Sequence, residues 1–133
     1  MRLVVHVDGG SRGNPGPAAA AAVLSDGDGV VLDEATELLG SQTNNVAEYR
    51  ALLLGLARAR ALGASEVEVV NDSELIAKQV NGQYKVKHAA MKPLYLEALQ
   101  ALRAFDAWTV RTVRREHNTE ADRLVNEALD GLR

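Results

Sequence analysis

The sequence predicts an α/β fold, a mixed sheet of five strands whose first three are antiparallel, with helices packed on it. Two patterns lead there. Residues 2–39 hold three apolar segments of strand length separated by turn residues, as in an antiparallel meander. Beyond residue 43 the apolar spacing becomes helical, and helices and strands then succeed one another in the order α-β-α-α-β-α.

The first strand is read over residues 2–8, with Leu3, Val5 and Val7 on one face and Val4, His6 and Asp8 on the other. Gly9 to Pro17 reads as a structured turn, too short for a linker. Ala18–Leu24 and Val30–Leu39 are the next strands, joined by the turn Ser25-Asp26-Gly27-Asp28-Gly29. Asn44–Leu62 places Val46, Tyr49, Leu52, Leu53 and Leu56 on one side of a helix, with Thr43 as N-cap and Gly63 as a left-handed stop. Glu66–Asn71 is a fourth strand and Ser73–Asn81 a short helix ended by Gly82. Residues 83–91 form a loop. Pro93 opens a helix where a missing N–H costs least, running to about Phe105. Trp108–Val113 is the fifth strand and Thr119–Leu129 the last helix.

A chain of 133 residues suits one domain over residues 1–133, able to bury a core without disulfides or a structural metal. It contains no cysteine, which excludes a disulfide scaffold, a zinc ribbon and a cysteine nucleophile. The opening apolar run is short and interrupted by Asp8, unlike a signal peptide, and no stretch approaches membrane-spanning length. The expectation is a monomer in the cytoplasm, with no membrane and no obligate protein partner. Net charge is −3, but its distribution matters more. Leu75 to Leu96 contains no Asp or Glu while holding Lys78, Lys85, Lys87, His88 and Lys92, and a second basic cluster holds Arg111, Arg114 and Arg115. On charge alone, solvated surface accounts for both segments more readily than a polyanionic partner does.

Four carboxylates fall at strand ends and helix starts: Asp8, Glu48, Asp72 and Asp122. Such places let side chains converge without burial in the core. Converging carboxylates repel unless cations lie among them, and hard oxygen ligands select Mg²⁺ or Mn²⁺ over zinc. Each acid also admits a purely structural role. Asp72 can cap the helix after it, Asp122 can complete a capping box with Thr119, Glu48 can complement a helix dipole, and Asp8 can serve the Gly9-Gly10 turn.

The Gly-rich segment lacks the lysine of a phosphate-binding P-loop and does not open a helix as a dinucleotide fingerprint does. Its glycines let a backbone approach a ligand closely, or simply form a tight, proline-stiffened connection. Gln42-Thr43-Asn44-Asn45 sits where free N–H groups attract anions, or where a helix is merely well capped.

Four stretches together resemble the ribonuclease H family, type 1, in its compact prokaryotic form without the basic helix insertion. They are Val7-Asp8-Gly9-Gly10-Ser11-Arg12-Gly13-Asn14-Pro15-Gly16-Pro17, Thr43-Asn44-Asn45-Val46-Ala47-Glu48-Tyr49, Asn71-Asp72-Ser73-Glu74-Leu75 and His117-Asn118-Thr119-Glu120-Ala121-Asp122-Arg123-Leu124. The resemblance spans essentially the whole chain in the family's order. It implies a five-stranded mixed sheet, three antiparallel strands first, with helices on both faces. It implies that Asp8, Glu48, Asp72 and Asp122 bind two Mg²⁺ ions, with Mn²⁺ a possible substitute, and are the catalytic acids. It implies that Asn14, Thr43 and Asn44 hold a DNA-strand phosphate. Gly9, Gly10, Ser11, Arg12, Gly13, Asn45 and Glu74 would lie along the RNA strand, where the 2′-hydroxyl separates RNA from DNA.

The implied activity is hydrolysis of the RNA strand of an RNA/DNA hybrid, leaving 3′-hydroxyl and 5′-phosphate ends. Three features depart from the best-known members. Many bacterial members grip the DNA strand with a long basic helix insertion; here the segment Gln83–Lys92 is short, and the expectation is that Lys85, Lys87 and Lys92 do that work less strongly. Glu74 stands where a neutral glutamine occurs. The loop before Asp122 is short, which makes His117 an approximate match to a histidine that assists proton transfer or product release. If His117 acts so, its loss should lower kcat, with changes at Asn118 or Glu120 milder.

The alternatives are another nuclease on this fold, an exonuclease or a junction resolvase, and a non-catalytic nucleic-acid-binding module; fold alone does not decide among them. A phosphatase using Asp8 as nucleophile would want a second Asp two residues on, where Gly10 stands.

Overall fold

The computed structural model describes residues 1–132. Strands β1 (Arg2–Ser11), β2 (Gly16–Ser25) and β3 (Val31–Gln42) form the antiparallel meander. Strands β4 (Glu66–Asn71) and β5 (Ala107–Thr112) continue the sheet in parallel, giving the order β3-β2-β1-β4-β5. Helices α1 (Asn44–Ala61), α2 (Glu74–Val80) and α3 (Lys92–Arg103) cover one face. Helix α4 (Thr119–Asp130) covers part of the other, and a 3₁₀ turn at Arg115–His117 leads into it. No helix among the described residues is long and apolar enough to cross a membrane.

The alternation read for β1 holds: Leu3, Val5 and Val7 enter the core under α1–α3. Several boundaries differ by one to three residues, β3 for instance running to Gln42 rather than Leu39, and one of them bears on the site. Strand β1 does not end at Asp8 but runs through Gly9 and Gly10 to Ser11, pairing them with Ala20, Ala19 and Ala18. The turn shrinks to the residues between Ser11 and Gly16. Gly and Ala are poor strand formers, but here the helices decide. Ala20 and Ala22 face the large core while Ala19 and Ala21 face α4, so β2 is covered on both sides and small side chains let both layers close.

Gly9 is needed for the same reason. A Cβ there would stand 2.1 Å from the Ala47 carbonyl oxygen, so the first turn of α1 rests directly on the β1 backbone. Gly55 serves the next contact along, where a Cβ would lie 2.7 Å from a Val5 methyl. At the ends of α1 the capping is as expected: the Thr43 hydroxyl accepts from Val46 N at 3.3 Å, and Gly63 takes φ +84°. The buried Tyr49 hydroxyl, 2.6 Å from Gln79 Oε1, ties α1 to α2.

Candidate active site

The strand register brings the acids together. β1 and β4 run parallel with His6 opposite Val70, so Asp8 and Asp72, each two residues further on, leave the sheet on the same side. Asp8 also lies opposite Ala21, on the face that α4 covers, and α4 carries Asp122 in its first turn. Glu48 arrives from the other side, because Gly9 lets α1 settle beside Asp8. Asp8, Glu48 and Asp72 line one cavity, and Asp8 and Asp122 line an adjoining one.

Two of these acids do not take the structural roles open to them. Ser73, not Asp72, caps α2, its hydroxyl accepting from Ile76 N at 3.3 Å. The capping box at α4 is not made: the N-cap is Asn118, with no side-chain cap bond.

The cluster is electrostatically tense. Burial is the largest influence on Asp8, and the charges of Asp72, Asp122 and Glu48 add to it, pushing its carboxyl up to about 8. Burial likewise raises Glu48 to about 7, against a hydrogen bond from Ser73 that favours its ionised form. The Asp72 side chain is 6% exposed and its Oδ2 has no hydrogen-bond partner. Arg115 Nε approaches that oxygen to 3.5 Å, an ion-pair distance without hydrogen-bond geometry.

An all-oxygen donor set, a buried orphaned carboxylate oxygen and two carboxyls held toward their neutral forms fit a hard divalent cation. Among the described residues no three such side chains are already grouped around one cation position.

A family model described as reverse transcriptase-like matches residues 6–128. The crystal structure of RNase H1 from Halobacterium salinarum NRC-1 is 40% identical with a TM-score of 0.96, covering 98% of this chain and 99% of that one. The chain belongs to the ribonuclease H family. LC11-RNase H1, solved in complex with an RNA/DNA hybrid, is 39% identical with a TM-score of 0.93, covering 98% of each chain. A bifunctional protein of Mycobacterium tuberculosis is 47% identical over 131 residues, 98% of this chain. The chain spans only 36% of that relative's length, and 65% of the curated ribonuclease HI of Halobacterium salinarum.

In this ribonuclease H-family chain the Gly-rich turn and the N-terminus of α1 are latched together. Ser11 N donates to Asn44 Oδ1 at 3.0 Å, and Asn44 N donates to Asn14 Oδ1 at 3.1 Å. Asn14, Thr43 and Asn44 therefore gather at one helix N-terminus, with Asn45 half-buried beside them. The Ser11 hydroxyl turns into the loop, within reach of the carbonyls of Gly13, Gly16 and Gln42. Gly10 lies under α4, its absent Cβ 3.4 Å from Val125 Cγ1, and Gly13 turns the chain with φ +119°. Arg12 pairs with Asp130 at 2.7 Å in the last turn of α4.

Glu74 is paired with Lys78 at 2.6 Å, which shifts its carboxyl down from its ordinary value. Lys85 and Lys92 line an exposed groove with Tyr84 and Tyr95; Lys87 is exposed nearby but not part of its wall.

His117 stands apart. It is exposed in the 3₁₀ turn and lines a cleft with His6, Ser25 and Glu120, not the cavities that the acids line. The residue that reaches the acids from this turn is Arg115, which the sequence placed only in a basic cluster. The signal was topological. β5 runs parallel to β4, and Val113 N bonds Asn71 O at 2.8 Å, so the residues leaving the end of β5 land beside Asp72 at the end of β4.

Proposed function

We propose that this domain is a metal-dependent endonuclease that hydrolyses the RNA strand of RNA/DNA hybrids. The observation that carries the reading is the approach of Glu48, Asp72 and Asp122, from three other parts of the chain, to the buried Asp8, whose carboxyl their charges help push up. The solved hybrid complex of a relative with 39% identity supports the choice of substrate.

Two Mg²⁺ ions held by the four acids, or Mn²⁺ in their place, would activate a water and stabilise the charge of the phosphodiester in attack and departure. The chain's own residues do the placing. Asp8 stands centrally, between Asp72, just past the end of the neighbouring strand, and Asp122 on α4. Ser73 orients Glu48 through the hydrogen bond it donates. The α1 N-terminus, with Asn14, Thr43 and Asn44, offers a seat for a DNA-strand phosphate. Lys85, Lys87 and Lys92 extend the electrostatic hold along that strand, and the turn from Ser11 to Asn14, with Asn45 and Glu74, faces the RNA. In the cut, the water oxygen bonds to phosphorus and the P–O3′ bond breaks. The proton lost by water is balanced by one gained at O3′, leaving 3′-hydroxyl and 5′-phosphate ends. The enzyme is taken to act as a monomer in the cytoplasm.

The test is one labelled RNA presented as single strand, RNA/RNA duplex and RNA/DNA hybrid with millimolar Mg²⁺. Internal cleavage confined to the hybrid is expected. Stepwise shortening from one end, or no cutting of the hybrid, overturns the reading.

A further inference from the structure

We propose that Asn118 is a positioning residue that holds Asp8 and Asp122 in register with each other. Its side chain is buried, with the residue 1% exposed. Nδ2 donates to the Val7 carbonyl at 2.9 Å, one residue before Asp8. Its own backbone carbonyl accepts from Asp122 N at 3.2 Å. One residue thus joins the strand bearing the central acid to the helix bearing its partner, across 111 positions of sequence.

Three features separate this from ordinary helix capping. Asn is a favoured N-cap because its side chain can bond the free N–H groups of the first turn. Here that bond is absent, and the side chain is directed at β1 instead. The β1–β4 pairing ends at His6 and Val70, so beyond it the β1 backbone needs other partners where Asp8 must be held. Finally, Asn118 Oδ1 is buried with no hydrogen-bond partner. An orphaned acceptor is a cost that an apolar residue would avoid, and the bond to Val7 is what the amide provides in return. His117, next in sequence, shares none of this. On this proposal the order that a functional His117 would imply, His117 above Asn118, is reversed.

The proposal rests on the four-acid reading and deepens it. Partners that orient metal ligands typically cost about 10–100-fold in affinity or activity when removed. The variants are Asn118→Ala and Asn118→Asp, the second presenting an acceptor to the Val7 carbonyl. Both are measured on the full chain at a temperature where circular dichroism reports them fully folded. Expected for Asn118→Ala is a kcat lowered roughly 10–100-fold with KM nearly unchanged, and Mg²⁺ binding by calorimetry weakened by about tenfold. Asn118→Asp should lose at least as much. Wild-type kcat and Mg²⁺ affinity in variants that merely melt earlier would make Asn118 a structural residue and overturn the proposal. If neither variant folds, Asn118→Ser, whose hydroxyl is too short to reach Val7, is judged by the same two readouts; failure of all three to fold also overturns it. A wild-type protein that binds Mg²⁺ but leaves the hybrid intact would sink the substrate reading alone, while the calorimetry still decides Asn118.

Discussion

The end of β1 and the segment from Gly82 to Lys92 face the same proposed substrate but are built in opposite ways. At the end of β1 nearly every group is held. Gly9 lies against Ala47, Ser11 and Asn14 are latched to Asn44, Val7 is bonded by Asn118, and Asp8 is 7% exposed. In the other segment Lys85 and Lys87 are exposed, and the anchors are Val86 and Met91 in the core and Tyr84 under the Lys78 ammonium at 4.9 Å. The difference fits the tasks proposed for the two regions. Placing charge around a reacting phosphorus tolerates little displacement, whereas attraction to a phosphate chain needs only charge that can reach it.

The largest effect that can break this comparison is at Asp8. Asp8→Asn should reduce cleavage to background while leaving the fold and hybrid binding intact, since it removes charge and keeps shape. Turnover near wild type at saturating Mg²⁺ would show that the tightly held region is not the chemical one.

Next comes Gly9→Ala. Its methyl would have to displace α1, because the obstacle at 2.1 Å is backbone. A loss of about 1–3 kcal/mol in urea unfolding is expected, as for other forced overpacking, together with lowered activity. A surface change such as Lys87→Gln should stay within about 0.5 kcal/mol. Equal losses at both sites would erase the contrast.

The third test sharpens it electrostatically. Without divalent cation the folded chain keeps protons on Asp8, raised to about 8, and Glu48, raised to about 7, that the unfolded chain releases at lower pH. The native state then binds more protons than the unfolded one, so stability falls as pH rises from about 5 to about 8. Millimolar Mg²⁺ should flatten that decline by binding the native state, and Asp8→Asn should flatten it without metal. A melting temperature independent of pH over this window in the metal-free protein would count against the cluster.

The smallest effects belong to the exposed lysines. Lys85→Ala and Lys87→Ala should each lower the slope of log affinity against log salt by roughly one unit, with kcat unchanged. Wild-type slopes in both would move the DNA-strand contact elsewhere.

The element order, the Thr43 cap, the strand face of Leu3, Val5 and Val7 and the four acids were all legible in the residues, because each depends on local periodicity, local hydrogen bonding or a motif only a few residues long. The acids were found as a set through their motifs. Read singly, Asp72 and Asp122 favour structural roles, and only the structure gave the α2 cap to Ser73 and left the α4 capping box unmade.

What tertiary structure alone decided is of another kind. β1 runs to Ser11 because α1 and α4 close on a glycine- and alanine-lined sheet from both sides, which no strand propensity expresses. Arg115 meets Asp72 and Asn118 meets Val7 because the ends of parallel strands and the start of a helix share one edge of the sheet. Those partners lie 43 and 111 positions apart in the chain. A single sequence carries local chemistry residue by residue, but it holds such meetings only implicitly, through the packing that brings distant backbone together.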